Sequence, residues 1–133
     1  MAQFGKLYFI ALVIFVILDA IWLGFIGRNL YSKFIGYIMT ETPNWIAAIL
    51  FYLLFITGII VFIVLPGLEE KNILITLGKA ALFGLVTYAT YDLTNLATLK
   101  SWPIQITIID LIWGTFLSSI VGVTTIIIGK WLH

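Results

Sequence analysis

Three aspartates, Asp19, Asp92 and Asp110, each sit within a run of apolar residues. If those runs are membrane helices, each carboxyl costs roughly 2.5–3.5 kcal/mol near a helix centre, so it must face protein or water rather than lipid. The neighbours match that need. Tyr88, Asp92 and Asn95 fall at i, i+4 and i+7 on one helical face, and Thr87, Tyr91, Thr94 and Thr98 on the adjoining one. Further on, Thr107, Asp110 and Gly114 share a face, with Gln105 nearby. Carboxyls beside phenols could do proton chemistry: Asp19, Asp92 or Asp110 as acid/base, and Tyr88 or Tyr91 as donor to developing negative charge. Paired Asp could also give oxygen ligands to a divalent cation. No D-x-D or comparable motif is present, so no metal and no cofactor are expected. The competing reading is structural, since intramembrane Asp, Asn and Thr also tie helices together by hydrogen bonds of about 0.6–2 kcal/mol each.

The elements that must hold these residues follow from composition. Of 133 residues, 62% are hydrophobic and 10% charged, against about 45–50% and 25% in soluble domains. Mean hydropathy is +1.17. A soluble domain of this size hides only ~68% of its unfolded surface, too little for so many apolar side chains. The expected fold is all-α: one transmembrane domain over 1–133, a four-helix bundle with spans near 5–27, 45–65, 73–97 and 104–129. The first run exceeds the 7–15 apolar residues of a signal peptide and lacks its small-x-small site, so it is taken as a span. Residues 28–44 are too polar to cross. Leu30, Tyr31, Phe34, Ile35 and Ile38 recur at helical spacing opposite Arg28, Asn29, Ser32 and Lys33. That pattern suits a short interfacial amphipathic helix, an ordinary loop being the alternative. Thr42-Pro43 reads as a helix start and Pro66-Gly67 as a stop. There is no Cys, and the one histidine is His133, so thiol, disulfide and His-based chemistry are not expected. A net charge of +1 makes no case for nucleic acid.

With four spans both termini share a side. Lys6, Lys71, Lys79 and Lys130 lie there, against Arg28, Lys33 and Lys100 on the other, which favours cytoplasmic termini. Calling the loop side 28–44 and 98–103 outer, Asp19 lies ~4–5 Å, Asp92 ~10 Å and Asp110 ~9 Å outward of the midplane at 1.5 Å per residue. All three fall in one leaflet although the helices alternate in direction, so a single outer polar pocket is expected. Arg28 and Lys100 border it and could hold a phosphate. Asn95, Thr94, Trp22 and Trp113 complete the candidate ligand-binding set. Trp22, Trp45 and Trp102 fall near the outer interface and Trp131 near the inner one, as an aromatic belt would. Asp19-Ala-Ile-Trp22 and Asp110-Leu-Ile-Trp113 repeat a D-x-I-W pattern, but on antiparallel spans the copies are not equivalent. Gly24, Gly27, Gly114, Ser118 and Gly122 are expected to permit close helix packing.

The segments YATYDLTNLATLKSWP (Tyr88 to Pro103), IDLIWGT (Ile109 to Thr115), LDAIWLG (Leu18 to Gly24) and LFYLLF (Leu50 to Phe55) cover much of the chain. Together they resemble the bacterial membrane family known as domain of unknown function 2177. The resemblance implies a small four-span protein of the bacterial inner membrane, set among lipid-modifying membrane enzymes, with no particular activity. It also implies Gly where Ser101 stands.

Three functions compete. In the first, an outer-leaflet amphiphile, a membrane lipid above all, is bound or modified with its head near Asp19, Asp92, Asn95 and Asp110. In the second, the acids relay protons or cations for transport; four spans make a thin wall, so a homodimer would be required. In the third, the polar helix end docks the protein as an accessory subunit onto lipid-modifying membrane enzymes.

Overall fold

The computed structural model describes residues 1–132, and His133 lies outside the described residues. The fold is all-α, with no strand among the described residues. Four helices are long and apolar enough to cross a membrane: α1 (Ala2–Ile38), α2 (Trp45–Glu69), α3 (Ile73–Thr98) and α4 (Ile104–Trp131). Short connections at 39–44, 70–72 and 99–103 make sequential helices antiparallel. Asparagine side chains start two of them. Asn44 accepts the N–H of Ala47 at 3.2 Å and Asn72 that of Leu74 at 3.0 Å, each satisfying a free first-turn donor. α2 therefore starts behind an Asn cap rather than at Pro43.

The amphipathic segment after the first span is helical over Arg28–Ile35, as its periodicity requires, but it continues α1 without a break. The 37-residue helix is about 55 Å long at 1.5 Å per residue. The join is a π-helical turn, Trp22–Gly27, in which the Arg28 N–H reaches the Leu23 carbonyl five residues back. Arg28, Asn29, Ser32 and Lys33 are exposed, while Tyr31 and Ile35 turn onto the bundle. Past them, the Tyr37 hydroxyl donates to the Ser101 carbonyl at 2.5 Å, tying this end of α1 to the 99–103 loop. Ser101 has φ +61°, in the left-handed region where glycine is cheapest, which accounts for the Gly expected there by resemblance.

Pro66-Gly67 does not end α2. A second π turn, Ile60–Val64, precedes it, and the Leu65 N–H bonds the Ile60 carbonyl. Pro lacks an N–H and its ring strikes the carbonyl four residues back in a regular helix; the wider turn relieves both, and the helix runs on to Glu69. Gly67 serves packing instead, since a Cβ there would run into the Ile126 side chain.

α3 and α4 form the most extensive helix pair. A Cβ on Gly84 would collide with the Gly114 carbonyl, and one on Gly114 with the Tyr88 ring. In lipid, where tails are as apolar as Leu, such close approach drives association by van der Waals contact. A Cβ on Gly122 would meet Ile63 of α2, whereas the nearest atoms to one on Gly27 belong to Trp22 and Tyr31 of α1 itself; Gly24 meets nothing within 4 Å, so the helix-packing role expected of it is not realised. The apolar core of Phe15, Ile56, Ile59, Leu117 and Val121 fills the middle of the bundle and continues toward the termini through Leu7, Val64 and Ile126. The acids lie beyond it, toward the 99–103 loop.

Candidate functional site

Close α3–α4 packing brings Asp92 and Asp110 together from antiparallel helices. They are 1% and 8% exposed. Their carboxyls lie close enough for a hydrogen bond once one carries a proton. Both line a cleft of about 410 Å³. Its polar lining is completed by Tyr31, Tyr88, Tyr91 and Thr87, its apolar lining by Ile35, Phe51 and Trp102. The Tyr31 hydroxyl donates to Asp110 Oδ1 and accepts from Trp22 Nε1–H at 3.2 Å. This Trp22–Tyr31–Asp110 chain fixes one side of the acid pair. On the other, Asp92 Oδ1 is buried and meets no donor. Trp102 donates its indole N–H to Thr107 Oγ1 at 3.1 Å and packs edge-on against Tyr91 at 5.8 Å. It is buried, a wall of the cleft rather than a member of a surface belt.

Asp19 is not among the residues lining the cleft. The reason is helix register. Trp22 and Trp113 stack at 4.5 Å and 9°. Each follows its Asp by three residues on helices of opposite direction. Asp19 and Asp110 therefore leave the stack on opposite sides, about 9 Å apart along the bundle at 1.5 Å per residue. The two D-x-I-W copies, not equivalent on antiparallel spans, meet through their tryptophans as an antiparallel pair. Asp19 finds a separate partner, accepting from the Tyr52 hydroxyl at 2.9 Å. Tyr88 stands between the two acidic sites, its hydroxyl within electrostatic reach of Asp19, Asp92 and Asp110.

The other expected site residues divide. Tyr88 and Tyr91 line the cleft. Asn95 stands by the Tyr91 hydroxyl one turn along. Thr94, Arg28 and Lys100 are exposed and none lines the cleft, which leaves it without the two cations expected to hold a phosphate. Trp22 and Trp113 border a separate, wholly apolar groove with Ile109 and Phe116. Tyr31 and Tyr52 escaped the sequence reading. Their signal was present but ambiguous: a Tyr on the apolar side of an amphipathic helix, and a Tyr in an apolar run, each able to bring a hydroxyl to a buried acid.

The arrangement can accept hydrogen bonds or positive charge at the Asp92–Asp110 pair while holding apolar surface against Phe51, Ile35 and Trp102. Among the described residues no group of three or more His, Cys, Asp or Glu could hold a metal ion.

A model of the family described as predicted membrane protein, DUF2177, matches residues 4–127. No curated protein and no solved structure matches the chain.

Proposed function

The chain belongs to the DUF2177 family of predicted membrane proteins, and from that premise we propose that it binds an amphiphile in the cleft between α1, α3 and α4. The observation that carries this reading is the mixed lining, in which paired carboxyls and phenols share the cleft with the apolar and aromatic side chains of Ile35, Phe51 and Trp102. Ligand sites combine mostly apolar linings with a few convergent polar groups in this way. A polar head would meet Asp92 and Asp110 while the chain follows Phe51 and Ile35 toward the surrounding lipid. Transport draws less support, because the bundle beyond Tyr88 is filled by Phe15, Phe55, Ile59 and Val121. The same reading sets the protein in the bacterial inner membrane with cytoplasmic termini, on the four-to-three Lys/Arg balance given above.

The test is retention. Full-length protein purified in maltoside carries a copurifying amphiphile, seen by native mass spectrometry and by extraction. Asp110→Asn lowers that retention at least tenfold with helix content unchanged. Equal retention by the wild-type and Asp110→Asn proteins overturns the reading.

A further inference from the structure

The cleft's acid pair has no cation of its own. No Lys or Arg lines the cleft or figures among the groups acting on Asp92 or Asp110. Two neighbouring carboxyls closed off from water hold charge only with a counter-ion or by sharing a proton. Asp110 is served by Tyr31, but Asp92 Oδ1 has no donor at all. Buried polar atoms are almost always bonded, so the exception shows that the protein itself leaves the pair uncompensated. Ser118 and Thr125 hydroxyls are also unpartnered, yet each can turn to its own helix's carbonyl four residues back. A carboxylate, which only accepts, has no such local outlet. The rings of Tyr91 and Trp102, edge to face, line the same cleft. Aromatic faces beside carboxylates are the surroundings that attract an ammonium group.

Resting on the reading of the cleft as an amphiphile site, the geometry points to a cationic amine as the ligand's head, seated on Asp92 and Asp110 against the Tyr91–Trp102 corner. Its N–H groups donate to the carboxyl pair from the cleft, and its charge balances the pair. A phosphate head has no cation to meet there, and an alcohol supplies a donor without the charge.

The experiment uses the full chain in maltoside with four probes: dodecylamine, dodecanol, dodecyl phosphate and ethylamine. Adducts are counted by native mass spectrometry. Dodecylamine is expected to be retained at least tenfold better than dodecanol or dodecyl phosphate, and ethylamine not at all. Asp92→Asn lowers dodecylamine to the dodecanol level while dodecanol itself is unchanged. Tyr91→Leu, at a position more than half exposed, lowers dodecylamine severalfold and decides the matter if Asp92→Asn does not fold. Equal retention of dodecylamine and dodecanol, or a preference for dodecyl phosphate, overturns the amine head and leaves the amphiphile reading standing. Retention of ethylamine as strong as dodecylamine, or of no probe, overturns both.

Discussion

Asp19-Ala-Ile-Trp22 on α1 and Asp110-Leu-Ile-Trp113 on α4 are the same pattern in two settings. Their tryptophans stack face to face, and that shared contact sends the acids to opposite sides. Asp110 arrives beside Asp92, with Tyr31 donating to it, at the floor of a cleft. Asp19 arrives beside Tyr52 alone, half-buried, with no second carboxyl in contact. Even α2 serves both: Phe51 faces the cleft and its neighbour Tyr52 serves Asp19. An intramembrane Asp paired with one hydroxyl is a satisfied structural group. An Asp beside another Asp, in the lining of a cleft and with one buried oxygen of the pair unbonded, is not. Type and local pattern make the two acids look alike; company separates them.

The contrast can be broken most severely at the α3–α4 contact. Gly84→Leu drives a side chain into the Gly114 carbonyl, an overpacking cost of about 3 kcal/mol. It should lower the thermal midpoint in detergent and abolish cleft retention, while the Asp19–Tyr52 pair stays intact; an unchanged midpoint would mean that the helices are not held at this contact. Next comes the acid exchange. Asp110→Asn should cost at least tenfold in amphiphile retention, about 1.4 kcal/mol, whereas Asp19→Asn stays within twofold; equal losses would erase the distinction. A smaller effect tests the shared hinge of the comparison. The double-mutant cycle of Trp22→Ala and Trp113→Ala should give a coupling of about 1 kcal/mol in unfolding free energy, and a coupling of zero would remove the stack as the cause of register. Smallest is the loss of single hydroxyls. Tyr52→Phe should cost about 0.6 kcal/mol of stability and leave retention alone, and Tyr31→Phe should lower retention as well. If both variants retain ligand equally, Tyr31 does not shape the cleft.

Much of this was legible in the residues. Runs such as Trp45 to Leu65, uncharged throughout, can only be buried or lipid-facing helix. The meeting of Asp92 and Asp110 follows from equal depth on antiparallel neighbours. By depth alone Asp19 already fell about 5 Å short of the other two, a difference that grouping all three into one leaflet ignored. Only the Trp22–Trp113 stack, a long-range contact with no local signature, turns it into separation. Helix ends were harder. Pro66 predicts a stop from local chemistry, but the π turn at Ile60–Val64 just before it absorbs it. Tyr31 was hidden because an amphipathic stretch reads the same whether its apolar face meets lipid or the protein's own bundle.

The π turn at Trp22–Gly27 has a consequence for how α1 tolerates change. Each residue of a regular helix advances the azimuth by about 100°, and a five-residue hydrogen-bonded turn holds one residue more than a four-residue one. The final three turns of α1, with Tyr31, Ile35 and Tyr37, are thus clocked by a single surplus residue. Excising one residue between 22 and 27 would leave the hydropathy of the span almost untouched, yet swing all three side chains by more than a quarter of a circle, away from Asp110 and Ser101. In this stretch a deletion invisible to composition is a steering error, and chain length there matters more than the identity of most side chains.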